Sequence, residues 1–207
     1  MSDTAHASSG ALLSKHRIEA LSDGVFAVVL TLLVLEIKPD MEPHADDEAV
    51  RHLLRTLVLP VLTFAVAFLI SGVFWSLHHR KFALLRHTNT RHTSLTLAFL
   101  FAVTLLPVSI SIYLHAKSSG LARAVYFANF TLIALLLLVS WLYAQRAGLA
   151  ETAQPADLRR LTQRMAGMTG MGVFATVACY FNLPFLIMLA LPVMIYLRRR
   201  QNAPTPP

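Results

Sequence analysis

Residues 17–37 read RIEALSDGVFAVVLTLLVLEI, an apolar run opened by three ionisable side chains and ended by Lys38 and Pro39. At about 1.5 Å per residue a helix over this stretch spans the roughly 30 Å hydrocarbon core of a bilayer. Ser14 stands where a helix cap is expected. Five more apolar runs follow: Leu53 to Trp75, Leu95 to Leu114, Leu121 to Tyr143, Met165 to Tyr180 and Leu183 to Leu197. The third contains Pro107, read as a kink that bundle neighbours repair. Only Phe181 and Asn182 separate the last two, so they form either a tight helical hairpin or one bent helix, which would put the C-terminus on the other side.

Composition agrees with a lipid solvent. Of 207 residues, 56% are apolar and 14% charged, and the mean hydropathy is +0.58, more than a soluble core of this size can hide. The expectation is an all-α integral membrane protein with six transmembrane helices in residues 14–200. Residues 1–13 are polar and small, without the charged start, apolar stretch and cleavage site of a secretory signal, and are expected as a flexible tail. Residues 201–207 are Pro-rich and expected to be disordered. Short loops exclude a sizeable extramembrane domain, and the basic loops hold no nucleophile, acid pair or Gly-rich phosphate cradle, so an enzyme is not expected. A single cysteine, Cys179, excludes an internal disulfide and a multi-cysteine metal cluster.

Eighteen Lys and Arg against eleven Asp and Glu leave a formal charge of +7. In a membrane protein this excess points to orientation and lipid headgroups, not to nucleic acid. With six spans one side receives Lys15, Arg17, Arg80, Lys81, Arg86, Arg91, Arg146, Arg159, Arg160, Arg164 and Arg198 to Arg200, and the other only Lys38, Arg51, Arg55, Lys117 and Arg123. That bias puts both termini in the cytoplasm of a multi-pass inner-membrane protein. The acids Asp40, Glu42, Asp46, Asp47 and Glu48 then form an outer loop, either simply solvated or raising the local cation concentration at an entrance.

The first run has two faces. At about 100° per residue from Arg17, residues Leu21, Gly24, Val28, Thr31, Leu32 and Leu35 fall within about 60° of one line. Glu19, Ser22, Asp23, Phe26, Leu30 and Leu33 gather opposite. The polar face is expected to be buried against its own subunit, where Asp23 and Ser22 find partners; an ionisable residue inside a span costs several kcal/mol unless paired or wetted. Arg17 and Glu19 can instead snorkel at the interface. The Val28/Leu32/Leu35 stripe meets lipid, other helices or symmetry-related copies, and spacing alone does not reveal a pore. Gly24 and Thr31 favour close helix approach and a polar rung.

A second polar cluster, Trp75, Ser76, His78, His79, Arg80 and Lys81, closes the second run. In an antiparallel pair it lies level with the start of the first helix, bringing Trp75, His78 or His79 within reach of Ser22 and Asp23. Adjacent helical histidines point about 100° apart and no third ligand is evident, so no metal site is expected. Histidine titrates near neutral pH, which makes a pH response a secondary expectation.

Together these segments resemble the TMEM175 potassium channels. Arg17-Ile18-Glu19-Ala20-Leu21-Ser22-Asp23-Gly24, running on through Val25-Phe26-Ala27 and Thr31 to Ile37, is similar to the family's R-x-x-x-F-S-D signature. Phe74-Trp75-Ser76-Leu77-His78-His79-Arg80 is similar to the second hallmark of its prokaryotic branch. Leu21 stands where the family pattern has Phe, which changes a packing contact and leaves Arg17, Ser22 and Asp23 in place. The resemblance implies a homotetramer whose first helices line a central, potassium-selective leak pathway with no T-V-G-Y-G filter loop and no cofactor. Its partners would be potassium ions, lipid and other copies of itself. Val28 would take the place of the apolar constriction, where family members often carry isoleucine, with Leu32 and Leu35 continuing it outward and Thr31 offering a hydroxyl. Arg17, Ser22 and Asp23, with Trp75 and His78 or His79, would be the network holding the pore helix. The main rival is a proton-coupled or secondary transporter using Asp23 and His79 as a relay, which would need broken helices near the midplane and internal symmetry.

Overall fold

The computed structural model of the protein describes residues 3–39, 46–116, 118–150 and 154–183, with side chains from Lys15 onward. The described residues form six helical segments: α1 (Asp3–Val34), α2 (Asp47–Leu84), α3 (Thr90–Thr104), α4 (Leu106–His115), α5 (Gly120–Arg146) and α6 (Pro155–Tyr180). They are not the six expected spans. The third expected span is divided between α3 and α4, and the sixth, Leu183 to Leu197, lies outside the described residues beyond Leu183. Among the described residues, three helical stretches are long and apolar enough to cross a membrane: α2, the Thr90–His115 run and α5.

Helix α1 begins at Asp3, so residues 3–13, expected as a flexible tail, are helical. Ala5, Ala7, Ala11, Leu12 and Leu13 favour helix, and once the membrane turns nucleate it the helix extends backward through them at little cost. At the other end, Leu35, Glu36 and Ile37 donate to the carbonyls three residues earlier. This tightened turn ends the helix ahead of Pro39, whose ring disfavours helix at the residue before it.

Part of the expected acidic loop is a helix start. The Asp46 carboxylate accepts from Ala49 N–H at 2.8 Å and caps α2, with Asp47 and Glu48 in its first turn, where negative charge complements the helix dipole. At Pro107 the break is one residue wide. Leu105 keeps right-handed helical geometry (φ −81, ψ −7) between α3 and α4. Beside the break α5 ties the two segments together: Asn129 Nδ2 donates to the Ala102 carbonyl at 3.1 Å, while Ser109 Oγ donates to Asn129 Oδ1 at 3.2 Å.

Helices α5 and α6 form the most extensive pair. Their approach needs Gly172, where an added Cβ would stand 2.7 Å from Thr131 Oγ1. Thr131 and Thr176 hydroxyls bond at 3.0 Å beside it, and Trp141 Nε1 donates to Thr162 Oγ1 at 2.9 Å. Helix α5 closes at Gly148 (φ 67), with Leu149 N–H reaching the Ala144 carbonyl and Gly148 N–H that of Gln145. Helix α6 repeats this device with Asn182 (φ 57) in the left-handed position and Leu183 N–H on the Ala178 carbonyl.

The core lies between α1, the α3/α4 run and α5. Phe26 and Leu33 of α1 pack with Phe99, Ile110, Ile133 and Trp141, all nearly inaccessible. One end of the bundle gathers the basic side chains and is tied across helices. Lys15 Nζ donates to the Leu85 carbonyl at 2.6 Å, and Arg86 N–H donates to the Leu149 carbonyl at 2.9 Å. Much of α2 stays exposed in the single chain, including Leu54, Val58, Leu62, Val66, Leu69 and Val73. An apolar surface of that extent is covered by lipid or by other protein.

Candidate functional site

The two faces of α1 separate as the helical arithmetic requires. Ile18, Ser22, Phe26, Val29 and Leu33 are buried against the protomer, Ser22 and Leu33 completely. On the opposite side Val28 is 57% exposed and Leu35 63%, with Leu21, Thr31 and Leu32 also exposed. The described chain therefore presents an apolar stripe with nothing of its own packed on it. Thr31 Oγ1 donates to the Val28 carbonyl at 2.7 Å. Its only hydrogen is thus committed to the backbone, and the hydroxyl oxygen offers lone pairs to the stripe side.

At the basic end the buried face of α1 is pinned to α2. Ser22 Oγ donates to the Ile18 carbonyl at 2.8 Å and lies 3.0 Å from His78 Nε2. A hydroxyl has one hydrogen, so Ser22 must accept from His78, which places a proton on Nε2. The His78 ring is buried and stacks on Phe99 of α3 at 4.9 Å. Asp23 lies one position around the helix and, contrary to expectation, is exposed. It reaches α2 from the rim of the contact, where Trp75 Nε1 donates to its Oδ1 at 2.8 Å. His79 stacks on Trp75 at 5.7 Å and faces Glu19, with Nδ1 3.5 Å from Oε1. His16 Nδ1 lies 3.9 Å from the same carboxylate.

The structure thus joins Ser22, Asp23, Trp75, His78 and His79 at one level. It does not join Arg17, which is exposed and whose side chain makes no hydrogen bond or ion pair with another described residue. Arg17 lies at the zero of the Val28 line, so it shares the exposed stripe and not the anchored face. Two histidines serve two jobs: His78 is the buried bond to Ser22, His79 the exposed neighbour of Glu19. Asp23 and His79, the relay of the rival transporter reading, are not in direct contact. Sequence reasoning set Glu19 aside as an interfacial snorkeler and gave no role to Lys81 or His92, both fully buried. The one-turn spacing of Lys81 from His78 was the available signal. Among the described residues no group of three or more His, Cys, Asp or Glu side chains is placed to hold a metal ion.

Comparison with known proteins converges on one family. The family described as endosomal/lysosomal potassium channel TMEM175 matches residues 17–107, the stretch holding both the stripe and its anchorage. A potassium channel of Chamaesiphon minutus is 30% identical over 90% of this chain and 95% of its own length. One of Streptomyces collinus is 31% identical over 80% and 82%. The human endosomal/lysosomal proton channel TMEM175 is 29% identical over 70% of this chain and 30% of its own, longer chain. Among solved structures, a crystal structure of a lysosomal potassium-selective channel TMEM175 homolog from Chamaesiphon minutus superposes with a TM-score of 0.74. It has 27% identity and covers 92% of this chain and 99% of that one.

Proposed function

This chain belongs to the TMEM175 family of multi-pass membrane proteins, and from that premise we propose that it is a potassium-selective leak channel, a homotetramer with four α1 helices around a central axis. The observation that carries this reading is the two-faced α1: one face is hydrogen-bonded and packed into the protomer, the other is an uncovered stripe of Val28, Leu32 and Leu35 with Thr31 beside them. In a closed ring the same stripe from each copy meets itself around the axis. The basic end faces the cytoplasm, as the positive-inside bias requires. Arg17, on the stripe's own line, then faces a neighbouring copy or the inner mouth.

Selectivity follows from dehydration. An apolar ring offers few replacement ligands, so passing Val28 favours the ion that sheds water most cheaply, and potassium sheds it more readily than sodium. Above the constriction Thr31 presents oxygen lone pairs and no free hydrogen, suited to a cation and not to an anion. No charged ring is needed.

The test is potassium-gradient flux in liposomes with the native protein and with Val28→Asn, Val28→Ala and Thr31→Ala. Changes at Val28 are expected to alter the potassium-to-sodium ratio or the conductance. Unaltered discrimination would put the constriction elsewhere. The relatives named as proton channels favour a second measurement on the same vesicles. Proton flux that persists without potassium and is abolished by His79→Gln would support the transporter reading instead, and cross-linking separates a ring from a solitary carrier.

A further inference from the structure

One turn beyond His78, α2 buries a lysine. The Lys81 side chain is fully inaccessible, its Nζ donates to Ser140 Oγ of α5 at 2.7 Å, and the same atom lies 4.9 Å from the Phe82 ring centre. Charged or neutral, the amino group has more N–H donors than the one Ser140 takes up, and neither ion pair among the described residues involves Lys81. Near it on α3 is His92, with neither ring nitrogen hydrogen-bonded, and one turn along the same face of α3 is Thr96, whose hydroxyl likewise has no partner; both are fully buried. His78 adds a bare Nδ1. Phe82 packs against both histidines, 4.8 Å from the His78 ring and 5.6 Å from that of His92. Lys81, His78 and His92 lie within electrostatic reach of one another.

The balance of donors and acceptors decides what belongs there. His78 carries its proton on Nε2, because Ser22 spends its hydrogen on the Ile18 carbonyl, so a neutral His78 offers Nδ1 as an acceptor. Lys81 has donors to spare, a neutral His92 brings one donor and one acceptor, and Thr96 brings both. An anion would satisfy the donors and leave Nδ1 of His78 bare. It would also lie at the last turn of α2, where helix carbonyls repel negative charge. Water donates and accepts, and buried polar groups without protein partners are the places where folded proteins keep it.

We propose that Lys81, His78, His92 and Thr96 hold a small cluster of buried water between α2, α3 and α5, and that through this water Lys81 fixes the proton of His78 on the nitrogen facing Ser22. Lys81 is thereby a positioning residue for the anchorage of α1. With the proton on Nδ1 instead, Nε2 would become an acceptor, and Ser22 would have to withdraw its hydrogen from Ile18 to meet it.

The experiment is solid-state NMR of 15N-histidine-labelled protein in bilayers, native and with Lys81→Met or Lys81→Gln, with His78 assigned by the signal lost in His78→Gln. The native protein is expected to show a neutral His78 ring protonated at Nε2, an Nδ1 signal displaced by hydrogen bonding, and polarisation transfer from water to His78 and His92. Lys81→Met should return Nδ1 toward the unbonded position and at least halve the water transfer, while Lys81→Gln, which keeps an N–H donor, restores both. An unbonded Nδ1 in the native protein, no transfer from water, or an unchanged spectrum in Lys81→Met overturns the proposal. If Lys81→Met does not fold, the native spectra alone decide. None of these readouts requires ion conduction, so the pore reading and the hydration site can fail separately.

Discussion

Replacing Ser22 with alanine should cost the protomer more than replacing Asp23, although Asp23 is the charged member of the pair. Ser22 is completely buried and accepts the His78 Nε2 proton at 3.0 Å. Without the hydroxyl, a buried donor has no acceptor, a loss of about 1–3 kcal/mol. Alanine returns about 0.5 kcal/mol in helix propensity, leaving a net destabilisation of about 0.5–2.5 kcal/mol. The Asp23 carboxylate and the Trp75 indole N–H meet at an exposed rim, where water can replace either partner, so Asp23→Ala should cost about 1 kcal/mol or less. At roughly 2–4 °C per kcal/mol for a chain of this length, the midpoint of the Ser22→Ala range corresponds to a loss of roughly 3–6 °C. Thermal unfolding in detergent, followed by tryptophan fluorescence, measures it. Asp23→Ala should instead lower the tetramer fraction after cross-linking. A Ser22→Ala protein as stable as the native one, or less perturbed than Asp23→Ala, would mean that the His78–Ser22 bond does not hold α1.

Other substitutions test the frame around this anchorage. Gly172→Ala should destabilise by about 1–3 kcal/mol through overpacking, because its Cβ would meet Thr131 Oγ1 at 2.7 Å; Thr131→Ala added to it should recover part of the loss in the same melt. Asn129→Leu removes the donor to the Ala102 carbonyl and should cost about 1–3 kcal/mol, with faster amide hydrogen exchange confined to residues around Leu105. Glu19→Gln should change stability by less than about 1 kcal/mol, since its partner His79 is 54% exposed, and a denaturation midpoint close to native is the expected result.

The division of α1 into two faces was legible because a single helix repeats every 3.6 residues, and burial of Phe26 and Leu33 opposite exposed Val28 and Leu35 follows from that period alone. The level match of Ser22 with His78 also followed, from an antiparallel pairing of neighbouring spans. Which histidine did which job did not, because it depends on the rotation of α2 about its axis, set by the packing of Phe74, Leu77 and Phe82. Asp23 was expected inside and stands at the rim for the same reason. The acidic stretch before α2 read as a loop, since acids suit both solvent and a helix start, and only the Asp46 cap distinguishes them. Lys81 and His92 were least legible: a cation near the end of a span reads as interfacial until helices α3 and α5 close over it.

Among the described residues, the side-chain hydrogen bonds and ion pairs that tie α1 to other helices, at Lys15, Glu19, Ser22 and Asp23, lie in its inner turns, while from Phe26 outward it is held mainly by apolar packing. Such a rod behaves as a cantilever. Taking Ser22 as the fulcrum, Val28 sits about 9 Å and Leu35 about 20 Å along the arm at 1.5 Å per residue. A lean of about 5° then carries Val28 sideways by about 0.8 Å and Leu35 by about 1.7 Å, and asks the Lys15 end to give by about 0.9 Å. In the proposed tetramer, that lean shared by four copies would widen a bore at Val28 by about 1.6 Å, over half the width of a water molecule.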